Sequence, residues 1–215
     1  MDNPDKFTIG LIDDDDAEII TFEKVYGEYF NFYIIDEEEK IEDMISKIRE
    51  GFIDCLFIDH KLRNFHGAEL FNSIQERFYL FPVILFTRYV NDAKIEISDP
   101  FLLKDKRLYL NVKAKDEKHV KTFVEYLKFK VDFYKKKFND YKNELSKLLK
   151  IRKERKFLPE EKFKVLHLDT KLEEMIDREH SIPLCIKEKV YDDDKILDLI
   201  NKANKIIEAF RQSNE

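Results

Sequence analysis

Four short apolar runs, each followed by a segment of helical periodicity, constrain the N-terminal half of this 215-residue chain more than any other feature. FTIGLI (7–12), FYII (32–35), CLFI (55–58) and VILF (83–86) are continuous and rich in β-branched and aromatic side chains. Such runs suit strands buried on both faces. Between them lie AEIITFEKVYGEY, EEKIEDMISKIREG and GAELFNSIQERF. These have helical spacing, as in Ile41, Met44, Ile45 and Ile48. Strand–helix alternation predicts a parallel sheet with helices on both sides. A chain that is 43% hydrophobic can fill the core such a sheet needs.

The first strand runs directly into four aspartates, LIDDDD (11–16). In an open parallel sheet, ligands sit at the carboxyl ends of the strands. Asp59 ends the strand CLFID and Thr87 ends the strand VILFT, so three strand ends offer carboxylates and a hydroxyl to one spot. Clustered carboxylates without a counter-ion are costly in a low dielectric. A hard divalent cation such as Mg²⁺ resolves the repulsion with oxygen ligands. A metal-bound acid pair beside a third carboxylate suits phosphoryl transfer onto that third group, giving an aspartyl phosphate. Asp14, Asp15 and Asp16 also precede AEIITFEKVY, where acids cap a helix and favour its dipole. Asp15 and Asp16 are assigned to that role.

At these positions residues 5–130 or so resemble the receiver domain of bacterial response regulators. The family's acid pair follows the first strand, here Asp13 and Asp14; its phosphoacceptor ends the third, here Asp59. Gly67 in DHKLRNFHGAEL and Thr87 in PVILFT match the glycine and the Thr or Ser that follow. The resemblance implies a flavodoxin-like, doubly wound sheet of five parallel strands. It implies Mg²⁺ held by Asp13, Asp14, Asp59 and the backbone carbonyl of Lys61. It also implies a histidine kinase or phosphotransfer protein as donor, with the chain a self-phosphorylating phosphoacceptor rather than a turnover enzyme.

The family's phosphate-binding lysine at the end of the fifth strand has three candidates. FLLKDK points to Lys106, with Lys104 and then Lys113 of RLYLNVK as alternatives. Two family positions depart from pattern: Arg63 stands where a proline is usual, and Arg88 where a small residue follows the Thr. Lys61, Arg88 and Tyr89 would overhang the site, and such bulk could shield a long-lived phosphoryl group. The competing reading is a pseudo-receiver scaffold or adaptor, never phosphorylated and dimerised by its helices.

Beyond the receiver (1–118) the sequence predicts a long helix (119–156) and a helical C-terminal segment (157–215). Val120, Val124, Leu127, Val131, Tyr134, Phe138, Tyr141, Leu145 and Leu148 alternate steps of 4 and 3, the seam of a coiled coil. The first turns are expected to serve as the receiver's last helix, with the remainder projecting. A homodimer through 120–148 is the expected use of the seam, with an antiparallel bundle as competitor. In the C-terminal segment, Phe163, Leu166, Met175 and Ile176 are expected to form one apolar face. A last helix is expected in DDDKILDLINKANKIIEAFRQ.

Other classes find little support. Formal net charge is −6, which gives no reason to expect nucleic acid. The 14 basic against 7 acidic side chains of 116–156 read as a solvated helix face. Cys55 and Cys185 make no disulfide framework, and Cys55 reads as core. The opening MDNPDKFTIG lacks a signal-peptide pattern, and no apolar run spans a membrane, so a cytoplasmic protein is expected. His167 and His180 lie in no persuasive phosphotransfer motif, and His60 and His66 do not by their spacing make a metal cage.

Overall fold

A computed structural model of the chain describes residues 6–35, 41–63, 66–97, 99–110 and 117–192. Its sheet has five strands: β1 (Thr8–Ile12), β2 (Asn31–Ile34), β3 (Cys55–Asp59), β4 (Val83–Thr87) and β5 (Leu103–Asp105). Their order is β2-β1-β3-β4-β5 and every pair is parallel. That is the doubly wound, flavodoxin-like order, whose switch point lies between β1 and β3. Register sets Ile12 beside Ile58, Asp59 beside Phe86 and Thr87 beside Asp105. The C-terminal ends of β1, β3, β4 and β5 therefore meet at one edge. The central strands β3 and β4 are buried along their whole length, as their continuous apolar runs require.

Helices α1 (Asp16–Tyr26), α2 (Ile41–Arg49) and α3 (Gly67–Arg77) connect the strands. Asp15 caps α1 by accepting the Ala17 N–H at 2.9 Å, and Asp16 opens its first turn. Met44, Ile45 and Ile48 form the buried stripe of α2. The connection between β4 and β5 holds a short α4 (Val90–Ala93) and one 3-10 turn at Pro100–Leu102, consistent with the weak amphipathic pattern of RYVNDAKIEISDP. Strand β5 leads into α5 (Lys106–Tyr109).

The long helix α6 runs Glu117–Glu154. Its first turns are core. Phe123, Val124, Leu127 and Val131 are buried in the same cluster as the sheet. The Phe123 ring meets Tyr26 of α1 at 5.6 Å, Phe86 of β4 at 5.9 Å and Tyr109 of α5 at 4.8 Å. This packing corrects the extent of the expected dimer seam. Its first half is occupied within the chain: Tyr134 also packs against this core, its ring 5.7 Å from Phe81 and its hydroxyl donating to the Met175 carbonyl at 3.0 Å.

The chain divides into two compact units. The first comprises Met1–Phe138 with Met175–Arg178; the second comprises Asn139–Glu174 and Glu179–Glu215. In the second, α7 (Pro159–Asp177) buries Val165, Leu166, Leu168 and Leu172. Phe163 is 74% exposed and Ile176 40% exposed, so the apolar face expected from them is set differently. One cause is geometric: Val165, Leu168 and Leu172 step by 3 and 4, and Phe163 falls off that stripe. Helix α8 (Leu184–Asp192) follows, ahead of where a last helix was expected. The remainder of that expected helix lies outside the described residues. Lys187 of α8 is buried against Asp169 at 3.1 Å and Glu173 at 2.5 Å. No described helix is long and apolar enough to cross a membrane.

Candidate active site

The turn after β1 and the end of β3 place Asp13, Asp14 and Asp59 together. Their carboxylate oxygens lie within 4.8 Å of one another. Asp13 and Asp59 are buried, Asp14 partly so. The Asp13 carboxylate accepts the Asp15 N–H at 3.1 Å, and the Asp59 carboxylate accepts the Lys61 N–H at 2.9 Å. Both acids are thus oriented by the backbone that follows them.

Lys106, the first residue after β5, is buried and points into this group. Its Nζ lies 2.7 Å from Asp13 Oδ2 and 2.6 Å from Asp59 Oδ1. Lys104 is set apart: its ammonium donates to the Phe101 carbonyl at 3.0 Å and lies over the Tyr126 ring. Lys113 lies outside the described residues. Burial disfavours the charge of Lys106, but Asp13 and Asp59 outweigh it and hold its ammonium above the ordinary lysine range. Burial pushes Asp13 up to about 6, against the pull of Lys106 and the Asp15 N–H, with Asp59 adding to the rise.

A fourth acid joins them. Glu18 of α1 is buried and pairs with both Lys106 and Arg88. Sequence reasoning passed over it, yet a signal was present. Glu18, Phe22 and Tyr26 step by 4 along the buried stripe of α1, and an acid on such a stripe needs a partner.

The mouth of the site is basic and aromatic. Arg63 Nε donates to Asp14 Oδ2 at 2.9 Å and its Nη2 donates to the Asp14 carbonyl at 2.9 Å. The Lys61 ammonium sits over the Tyr89 ring, 3.7 Å from its centroid. Thr87 is buried; its Oγ1 accepts the Tyr89 N–H at 2.9 Å and lies 3.4 Å from His60 Nδ1. Gly67 closes the loop after β3, where its N–H donates to the His60 carbonyl at 3.1 Å. A Cβ at Gly67 would stand 1.8 Å from the Asp59 carbonyl oxygen, so only glycine allows this approach.

The donor set fits a hard divalent cation: three carboxylates converge, and with Glu18 four acids stand against the three cations Lys106, Arg63 and Arg88. Oxygen donors of this kind select Mg²⁺ over softer ions.

Residues 9–98 match the family model of the response regulator receiver domain. Two solved structures are similar in part. One is the N-terminal signal receiver domain of a two-component system response regulator from Bacteroides fragilis, at 16% identity and TM-score 0.42, covering 59% of this chain and 97% of that one. The other is the signal receiver domain of a DNA binding response regulator protein from Colwellia psychrerythraea 34H, at 20% identity and TM-score 0.38, covering 56% of this chain and 99% of that one. No curated protein matches the chain.

Proposed function

Because residues 9–98 form a response regulator receiver domain, we propose that this chain takes a phosphoryl group on Asp59 from a histidine kinase or phosphotransfer protein. One observation carries the proposal: the Asp13, Asp14 and Asp59 carboxylates converge within 4.8 Å, with a buried lysine against two of them. Asp13, Asp14 and Asp59, with the Lys61 carbonyl, are the residues that would hold Mg²⁺. That ion supplies charge neutralisation for the phosphoryl oxygens. An Asp59 carboxylate oxygen attacks phosphorus, the phosphorus–nitrogen bond of the donor phosphohistidine breaks, and the imidazole leaves. Lys106 then exchanges the Asp59 carboxylate for a phosphoryl oxygen, and the Thr87 hydroxyl donates to another. Lys61 on Tyr89, and Arg88 on Glu18, crowd the mouth and slow the approach of water, so the phosphoryl group is long-lived. A half-life of seconds in the purified protein would refute that last point.

The state leaves the site through β4. Phe86 neighbours Thr87 and packs on Phe123 of α6, so a movement of Thr87 reaches the long helix directly. The part of the seam beyond Tyr134 would then change its contacts, with a second copy or another protein. In the absence of such a change the chain acts as a phosphate sink.

A second reading has its own support. Arg63 and Lys106 already give each of Asp14, Asp13 and Asp59 a cationic partner without a metal, as a pseudo-receiver scaffold would require. One experiment separates the two. The protein and Asp59→Asn are treated with Mg²⁺ and acetyl phosphate, then measured by intact mass and by light scattering. A phosphate adduct in the parent alone establishes the phosphoacceptor, and a change in oligomeric mass identifies the arm as its output. No adduct leaves the scaffold.

A further inference from the structure

A second cluster of ligating groups stands behind the phosphoacceptor, on the far side of His60. His60 follows Asp59, is 1% exposed, and directs Nε2 to Glu96 Oε2 at 2.6 Å. His66 Nδ1 lies 3.8 Å from the same oxygen. The two imidazole rings are 5.0 Å apart and nearly perpendicular, at 86°. All three ligand atoms lie within 4.8 Å of one another.

We propose that His60, His66 and Glu96 form a binding site for a zinc-class divalent cation, separate from the acidic pocket. Two imidazoles and one carboxylate are a recurrent three-ligand set for zinc, with water in the fourth position. Ligand atoms in a tetrahedral zinc site are separated by about 3.3 Å. The observed 2.6 and 3.8 Å to Glu96 bracket that value, and the two histidine nitrogens lie within 4.8 Å of each other. Mg²⁺ dehydrates reluctantly and prefers oxygen, so it does not compete here.

The backbone holds each ligand in place. The Gly67 N–H closes on the His60 carbonyl at 3.1 Å, and an antiparallel bridge pairs Lys61 with His66. Asn72 Nδ2 donates to the Glu96 carbonyl at 2.7 Å, anchoring the third ligand's main chain to α3. A side-chain cap does not account for His66. It stands at the N-cap of α3 but makes no side-chain capping bond. Lys61, the nearest competing cation, is seated on the Tyr89 ring.

His60 also has the outer partner that metal-bound histidines usually have. A cation on Nε2 replaces the proton shared with Glu96, and the ring proton then resides on Nδ1, facing Thr87 Oγ1 at 3.4 Å. Thr87 becomes an acceptor from both His60 and Tyr89, and its own proton is free to point at Asp59's ligand. This link to signalling rests on the phosphoacceptor reading; the metal site itself does not.

Zinc binding to the full chain is measured by calorimetry in excess Mg²⁺, which fills the acidic pocket. Co²⁺ absorption reports nitrogen ligation in parallel. One equivalent is expected to bind, with affinity falling about tenfold or more in both His66→Ala and Glu96→Gln and holding in Asp59→Asn. His66 and Glu96 are at the surface, so both variants fold. No binding by the parent, binding unaffected by either variant, or binding lost only in Asp59→Asn would overturn the site. The Asp59 adduct is measured without zinc, so its failure is a separate result.

Discussion

Lys106 and Arg77 are both cations buried against carboxylates, and they sit in opposite surroundings. Arg77 forks onto Asp177 through Nε at 2.7 Å and Nη2 at 2.9 Å, and reaches Glu42 at 3.2 Å. Asp177 also receives Arg49 at 3.2 Å. Two arginines thus meet two acids, with the fork geometry that makes such pairs specific. Lys106 meets Asp13, Asp59 and Glu18, with Asp14 beside them. With Arg63 on Asp14 and Arg88 on Glu18, three cations still face four acids, and the surplus charge asks for another cation. The balanced cluster holds structure together, whereas the unbalanced one is a site with an unmet demand.

The largest expected effect comes from removing the cation of the unbalanced cluster. Lys106→Met leaves Asp13 and Asp59 facing each other and should cost about 4 kcal/mol in the metal-free protein. Excess Mg²⁺ should restore a substantial part of that. Urea titrations with and without Mg²⁺ read both numbers, and an equal loss in the two conditions would remove the contrast. Asp177→Ala should cost about 3 kcal/mol by leaving Arg77 short of its main partner. Mg²⁺ should restore none of it in the same titration.

Acid tests the crowding itself. The Asp13 carboxyl titrates at about 6 in the folded chain against 3.8 for the free group. Folding therefore takes up a proton between those values, and the metal-free protein gains stability as pH falls through that window. The gain should approach 3 kcal/mol, what a rise from 3.8 to about 6 allows at about 1.4 kcal/mol per pH unit. It should vanish in Asp13→Asn and in saturating Mg²⁺. The smallest effect belongs to the rim. Arg63 is 75% exposed, so Arg63→Ala should change stability by less than about 0.5 kcal/mol. It should nonetheless raise Mg²⁺ affinity by uncovering Asp14, which calorimetry would detect.

Much of the receiver is readable from local pattern. A buried parallel strand needs a continuous apolar run, and each of β1, β3 and β4 has one whose last residues open into Asp13, Asp59 or Thr87. The choice among lysines was less accessible. Lys104 and Lys106 are two apart and equivalent by strand alternation. Only the end of β5 at Asp105, where α5 begins, turns Lys106 inward and leaves Lys104 on Phe101. The heptad seam carried a similar ambiguity. A 4-and-3 spacing states that one helix face is apolar, not what covers it, and here the sheet covers Phe123 to Val131.

Periodicity and strand-end chemistry, both local, determined the sheet, its helices and the acid edge. What required the folded chain were pairings between residues far apart in sequence. Glu18 meets Lys106 across 88 positions, Arg77 meets Asp177 across 100, and Glu96 meets His60 across 36. Charge attraction is strong only where burial lowers the dielectric, and burial is a property of the assembled core. The sequence placed carboxylates at the strand ends, and tertiary packing decided which cation each would hold.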